Sequence, residues 1–256
     1  MVPRLYVDAD LQDGGRVAID ADAIHYLKNV LRRREGDAIR VFNGEYGEFD
    51  ATIAAMGKKG GEVLLLKRNK PPSGAADLVL AFAPIKRTPT EYLIQKATEL
   101  GVSRFEPVIT ERTNVARVAV DRLTSIGREA AEQSGRLTVP AIAQPVRLDA
   151  FLATFPPDRY LVFCDEAGDD PAQEWGGSEG RAAPMLDVLQ QLDAATLTTI
   201  LIGPEGGFSP TEREAIRGIN QVQPVTLGPR ILRADTAGIV ALALLQAAMG
   251  DLGTVS

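Results

Sequence analysis

The chain has 256 residues, of which 45% are hydrophobic and 24% are charged. That length holds one large or two modest cores, and that apolar content excludes a disordered chain. A single cysteine excludes an intrachain disulfide, no apolar run reaches the length of about eighteen residues that a membrane span needs, and a net charge of −6 argues at first against an RNA partner.

The distribution of that charge reverses the argument. Residues 1–148 hold 22 Lys and Arg against 19 Asp and Glu, a net +3, while residues 149–256 hold 6 against 15, a net −9. Met1-Val2-Pro3-Arg4 leads straight into a strand-like segment, so no secretory leader is expected and the cytoplasm is the expected location. Short strand patterns follow at 4–7, 15–19, 38–42, 48–56 and 62–67, with turns such as Asn43-Gly44 between them. That spacing predicts a small β-barrel. A helix is expected at 23–31, carrying the one histidine, His25, as a surface or capping residue. Arg32-Arg33-Arg34, Lys58-Lys59 and Lys67-Arg68-Lys70 are basic clusters able to contact phosphates, or else solvated faces.

Residues 70–76, KPPSGAA, read as a linker between a domain of residues 1–70 and one of residues 71–256. Strands and helices then alternate, which predicts an α/β fold with a largely parallel sheet and helices on both faces. A strand is expected at 78–83. Thr88, Pro89 and Glu91 carry a capping-box signature for a helix lined by Leu93, Ile94, Ala97 and Leu100 and ended by Gly101. Cys164 closes the apolar run 160–164 as a buried strand residue. The acidic, glycine-rich stretch 165–183 reads as an enlarged surface loop.

Two glycine-proline loops follow. LIGPEGGF, 201–208, leaves an apolar β-branched run, and Ser209, Pro210 and Glu212 then supply an N-cap, a first-turn proline and a capping-box glutamate. Gly203, Gly206 and Gly207 allow close approach of a ligand, so a side chain at Gly206 is expected to block it or to strain the turn. No GxGxxG and no Lys-Ser/Thr follows, and Glu205 would repel phosphate. A ligand with a sulfonium, an amine and a ribose fits better; a plain structural turn is the alternative. LGPRILRADTAG, 227–238, is the second loop, with Asp235 or a neighbour capping an almost wholly apolar helix at 236–249. Such a helix is buried in a core or in a subunit interface. Two such loops can sit side by side at the carboxyl edge of a parallel sheet, where α/β folds bind ligands.

In order and spacing the two loops resemble the SPOUT class of S-adenosylmethionine-dependent RNA methyltransferases, and more narrowly the RsmE family. HYLKNVLRRREGD at 25–37, EYLIQKATELG at 91–101, ITERTN at 109–114 and REAAEQSGR at 128–136 match family segments in the same order, so the resemblance runs nearly end to end. One departure is Asp235, where the family more often has Glu. The resemblance implies a trefoil-knotted SPOUT sheet and a PUA-like RNA-binding barrel over the first 70 residues. It implies S-adenosyl-L-methionine as cofactor and N3 of uridine 1498 of 16S rRNA, in the small ribosomal subunit, as the methylated atom. It also implies that Arg233 stands near the reacting base, with Arg112 and Arg136 as further RNA or substrate contacts beside the basic cluster Arg32, Arg33 and Arg34, expected to contact RNA.

The cofactor is then expected on the backbone of Leu201, Ile202, Gly203, Pro204, Glu205, Gly206 and Gly207, and of Leu227, Gly228, Ile231 and Leu232. Covalent catalysis is not expected, because the only cysteine lies outside both loops. No His/Cys cluster suggests a metal. What remains is in-line displacement at a sulfonium, which asks mainly for positioning. The uracil N3 proton must leave, to a carboxylate or with an arginine stabilising the anion. Glu205 and Asp235 are the loop carboxylates for that task, or for binding ribose and amine groups. The reading is a homodimeric rRNA methyltransferase; the alternative is an RNA-binding module without catalysis.

Overall fold

The computed structural model describes residues 2–74, 76–115, 117–170, 172–173, 177–193 and 197–253. Met1, Ala75 of the predicted linker, and residues 171 and 174–176 of the predicted acidic loop lie outside the described residues. The chain divides into two units, residues 1–75 with 128–139, and residues 76–127 with 140–256.

The first unit holds β1 (Arg4–Tyr6), β2 (Arg16–Ile19), α1 (Ala21–His25), β3 (Ala38–Asn43), β4 (Gly47–Gly57) and β5 (Gly60–Lys70). The sheet order is β1-β3-β4-β5-β2, parallel between β1 and β3 and antiparallel elsewhere. β1 and β2 are its two edges, so the barrel is a half-barrel among the described residues. Alternating Ile39, Val41, Phe49, Ala51, Ile53, Val63 and Leu65 fill one face, as the period of two requires. The expected helix at 23–31 is instead α1, capped by the Asp20 carboxylate accepting from the Ala23 N–H, followed by a π-helix at Tyr26–Val30. Its wider turn is closed by the Leu31 N–H donating to the Tyr26 carbonyl. Arg32 follows at φ 54°, the one non-glycine residue with positive φ among the described residues.

Arg4 explains why residues 128–139 join this unit. Its guanidinium donates to the buried Glu48 carboxylate and to the carbonyls of Ala131 (2.9 Å), Glu132 (2.8 Å) and Arg136 (2.7 Å), and it lies 4.0 Å from the centre of the Phe42 ring. Carbonyls at the end of a helix lack intrahelical partners, and a cation there satisfies them. Glu132 is buried and accepts from the Tyr6 N–H at 3.0 Å. Burial pushes its carboxyl up to about 7, against the smaller opposing effects of the Tyr6 N–H, Arg128 and Arg4. A carboxyl that keeps its proton in the folded state adds stability below the ordinary value of 4.5 and loses it as pH rises through about 7. Glu132→Gln is therefore expected to match the parent in urea unfolding at pH 4 and to exceed it at pH 8, by up to roughly 3 kcal/mol. Equal stability at pH 8 would refute the assignment.

The second unit holds β6 (Leu78–Phe82), α2 (Arg87–Glu99), β7 (Arg104–Ile109), the start of α3 (Val120–Ser134), β8 (Ala141–Ile142), β9 (Val146–Arg147) and α4 (Leu148–Ala153). Then come β10 (Tyr160–Cys164), β11 (Ala183–Pro184), α5 (Met185–Leu189), β12 (Thr198–Ile202), α6 (Pro210–Arg217), β13 (Val222–Thr226) and α7 (Ala234–Met249). The strands are parallel, in the order β11-β13-β10-β12-β6-β7-β8, with β9 also on β7. Leu80, Phe82, Val162, Ile200 and Ile202 face α2, α5 and α7, while Ala81, Leu161, Phe163 and Leu201 face α4 and α6. Helices thus cover both faces, which is why these strands read as unbroken apolar runs.

Two helix starts differ from expectation. α2 begins at Arg87, after Lys86, without a side-chain cap. Thr90 makes the tie instead, accepting from the Ile85 N–H and donating to the Ile85 carbonyl. Glu91 is held down at about 2 by Arg122 and Arg87 rather than capping. α7 begins at Ala234, so Asp235 lies inside the first turn and accepts from the Thr236 N–H at 2.8 Å; the position before the helix is Arg233, which makes no side-chain cap. α7 also buries a single face, Ala237, Gly238, Ala241, Leu242, Leu245 and Gln246, leaving Ile239 and Val240 half-buried.

Candidate functional site

The two glycine loops leave β12 and β13, and β10 lies between those strands. Their strands are therefore not neighbours, yet residues of both loops and of the segment leaving β10 at Asp165 line one cavity. Outside the carboxyl ends of the neighbouring parallel strands β10 and β12, the edge where α/β sheets bind ligands, a crevice opens. Here it is a cavity of about 940 Å³, within the size of small-molecule sites.

In the first loop a Cβ on Gly203 would come within 2.6 Å of the Phe208 ring, which packs edge-on against Phe163 with centroids 5.2 Å apart. The Gly207 N–H donates to the Pro204 carbonyl at 2.9 Å, and Gly207 has φ 67°. Gly206 has neither constraint; a Cβ there meets Arg112 at 3.5 Å, ordinary contact. The strain expected at Gly206 therefore falls on Gly203 and Gly207. Ser209 caps α6, its hydroxyl accepting from the Glu212 N–H and its own N–H donating to Glu212, with Pro210 first in the helix, as the sequence predicts. Arg112, exposed on the loop after β7, donates from Nη1 to the Gly206 carbonyl at 2.7 Å.

The segment from Asp165 to Asp170 belongs to this wall, not to a surface loop. Asp165 is 3% exposed and takes charge-assisted bonds from Arg213 (2.9 and 3.1 Å) and Arg217 (2.7 Å) on α6. Asp169 pairs with the same two guanidiniums. Glu166 turns to the second loop, accepting from the Leu227 N–H at 3.3 Å and from the Thr226 hydroxyl at 3.4 Å. Burial raises its pKa, opposed by those two bonds and by Arg181. Cys164 lines the cavity too, and burial, helped by Glu166 and Asp165, pushes its thiol up, so it holds no thiolate nucleophile.

Of the residues expected to hold the cofactor, Ile202, Gly203, Pro204, Glu205, Gly206, Gly207, Ile231 and Leu232 line this cavity, as does Arg112. Leu201 is wholly buried in the core, and Leu227, whose N–H is taken by Glu166, and Gly228 are not on the lining. Arg233 and Asp235 are not on the lining either, although their neighbours Leu232 and Ala234 are. Arg32, Arg33, Arg34 and Arg136 lie in the other unit. Sequence reasoning missed Glu166, Arg213 and Arg217; the strand pattern ending at Cys164, followed by carboxylates, was the available signal. Among the described residues there is no cluster of three His, Cys, Asp or Glu fit for a metal, and no helix is long and apolar enough to cross a membrane.

Comparison with known proteins matches residues 72–246 to the RNA methyltransferase domain family and residues 19–66 to the RNA methyltransferase PUA domain. A ribosomal RNA small subunit methyltransferase E of Rickettsia conorii is 33% identical over 244 residues, covering 95% of this chain and 94% of the relative. A methyltransferase of Legionella pneumophila, solved with bound S-adenosylmethionine, is 32% identical with a TM-score of 0.81, over 97% of this chain and 98% of that one. A ribosomal RNA small subunit methyltransferase E of Neisseria gonorrhoeae, also bound to S-adenosylmethionine, is 28% identical with a TM-score of 0.80, over 96% and 98%.

Proposed function

Because this chain belongs to the RNA methyltransferase family, with the PUA domain that accompanies it, we propose that it is an S-adenosylmethionine-dependent rRNA methyltransferase acting on N3 of uridine 1498 of 16S rRNA in the small ribosomal subunit. One observation carries the cofactor assignment. The cavity is walled by glycine backbone and by the carboxylates Glu205 and Glu166; of its three guanidiniums, Arg213 and Arg217 are paired with Asp165 and Asp169, and Arg112 donates to the Gly206 carbonyl. Such a site suits hydroxyl, amine and sulfonium groups and repels a triphosphate. Bound there, S-adenosylmethionine supplies an activated methyl group on sulfur.

The chain's own residues do the rest. Ile202 to Gly207, Ile231 and Leu232 hold the cofactor against the sheet edge. Glu205 or Asp235 accepts the N3 proton, and Arg233 offers its guanidinium to the uracil oxygen that gains charge as that proton leaves. The target base must leave any stack to enter the site. The same proposal includes the trefoil knot, with the second loop threaded beneath the first, a cytoplasmic location, and a division of labour between an RNA-binding domain of residues 1–70 and a catalytic domain of residues 71–256. The test is mass spectrometry of 16S rRNA from cells lacking this chain. Methylation at uridine 1498 should vanish and return with the gene. A protein that binds 16S rRNA but no S-adenosylmethionine would instead be a binding module without catalysis.

Two further expectations belong to this reading. Exposed Arg32 and Arg34 are proposed phosphate contacts, so Arg32→Ala and Arg34→Ala should each weaken RNA binding at every sequence and lower the salt slope by about 1. An unchanged slope removes them from the interface. The half-buried Ile239 and Val240 on α7 are the proposed dimer surface, and a monomer at micromolar concentration in the ultracentrifuge would refute it.

A further inference from the structure

We propose that Glu212 and Arg112 form one positioning device that fixes the peptide plane between Gly206 and Gly207, and with it the shape of the cofactor-side loop. An ordinary capping box needs one bond from its glutamate, to the N-cap N–H. Glu212 makes two. Its Oε2 accepts from the Ser209 N–H at 3.0 Å, and its Oε1 accepts from the Glu111 N–H at 2.8 Å, 101 positions away in the chain. Ser209 and Glu212 are 6% and 7% exposed, so water does not replace a bond lost between them, while the bond to exposed Glu111 is part-buried.

The turn that Glu111 belongs to is itself tied. The Thr113 N–H donates to the Thr110 carbonyl at 3.1 Å, the Thr110 N–H donates to the Thr113 hydroxyl at 2.9 Å, and the two hydroxyls are 2.8 Å apart. With that turn docked on Glu212, the next residue, Arg112, reaches the Gly206 carbonyl at 2.7 Å. The N–H of the same peptide, on Gly207, is held by the Pro204 carbonyl at 2.9 Å. Both polar groups of one peptide are therefore engaged, and it cannot rotate without losing both bonds. Arg112 thus acts on the loop backbone, through a charge-assisted bond.

The cofactor arm of the test rests on the methyltransferase reading; the exchange arm does not. Glu212→Gln leaves one acceptor oxygen and turns an NH₂ toward the second backbone N–H. Hydrogen exchange on the ligand-free protein should rise about tenfold or more at residues 203–208 in both Glu212→Gln and Arg112→Ala, and at 110–113 in Glu212→Gln. The double variant should exchange at 203–208 no faster than Arg112→Ala, because both act through one bond. Calorimetry should show S-adenosylmethionine binding weakened about tenfold in each single variant, with effects that do not multiply. The exposed Arg112→Ala keeps the fold, so it decides the matter even if Glu212→Gln unfolds. Unchanged exchange at 203–208 in Arg112→Ala, or independent effects in the double variant, would overturn the proposal. If the parent binds no S-adenosylmethionine, the functional reading falls and the exchange result still decides this one.

Discussion

Arg233→Ala is expected to lower single-turnover methylation by roughly 10²–10³, the loss typical of removing one preorganised donor to a developing oxyanion. The structure makes this a clean experiment. Arg233 is exposed, stands just before α7, and contributes its carbonyl, not its side chain, to the helix, through the Ala237 N–H at 2.7 Å. Truncating the side chain therefore leaves the α7 start intact. Its neighbours Leu232 and Ala234 line the cavity while it does not, so S-adenosylmethionine affinity should change much less than turnover. Arg233→Lys should rescue only in part, because an ammonium lacks the planar fork. Turnover that survives makes Arg233 dispensable; turnover and affinity falling together place it in the cofactor site.

Gly203→Ala should be the most damaging small change in the first loop. The added Cβ would sit 2.6, 3.0 and 3.3 Å from three atoms of the Phe208 ring. That ring packs edge-on against Phe163 on one side and borders the cavity on the other, so it can yield only by leaving Phe163 and moving toward the cavity. Overpacking of this kind costs about 1–3 kcal/mol, and moving Phe208 displaces the loop whose other residues line the cavity. Thermal unfolding should show the loss of stability, and calorimetry an S-adenosylmethionine affinity at least about tenfold weaker. Gly206→Ala is the control: it meets Arg112 only at 3.5 Å, and its φ is unstrained, so stability should stay within about 0.5 kcal/mol of the parent. Equal behaviour of the two variants would show that Phe208 gives way freely.

The first glycine loop was legible in the sequence because its signals are local. Ser209, Pro210 and Glu212 lie within four positions of one another, and a cap forms from neighbours along the chain. The buried strands at Leu78–Phe82, Tyr160–Cys164 and Thr198–Ile202 were legible for a related reason, since burial on both faces writes itself as continuous apolar residues. The capping box read at Thr88 failed on the same kind of signal. The Thr90 hydroxyl bonded back to Ile85 and Glu91 was taken by two guanidiniums, one of them Arg122 on another helix. A partner 31 positions away is not visible to a local pattern.

By itself, then, the sequence determined the alternation of strands and helices, the positions of the two glycine loops, and a resemblance that family comparison bears out. Only the tertiary structure decided which of those segments meet. It put β10 between the two glycine-loop strands and so brought Asp165 to Asp170 into the cavity wall. It set Arg112 on the Gly206 carbonyl, and tied residues 128–139 to Arg4. The reason is one of range. Propensity, capping and burial act over a few residues, whereas strand order and long-range ion pairs follow from how whole elements share a core.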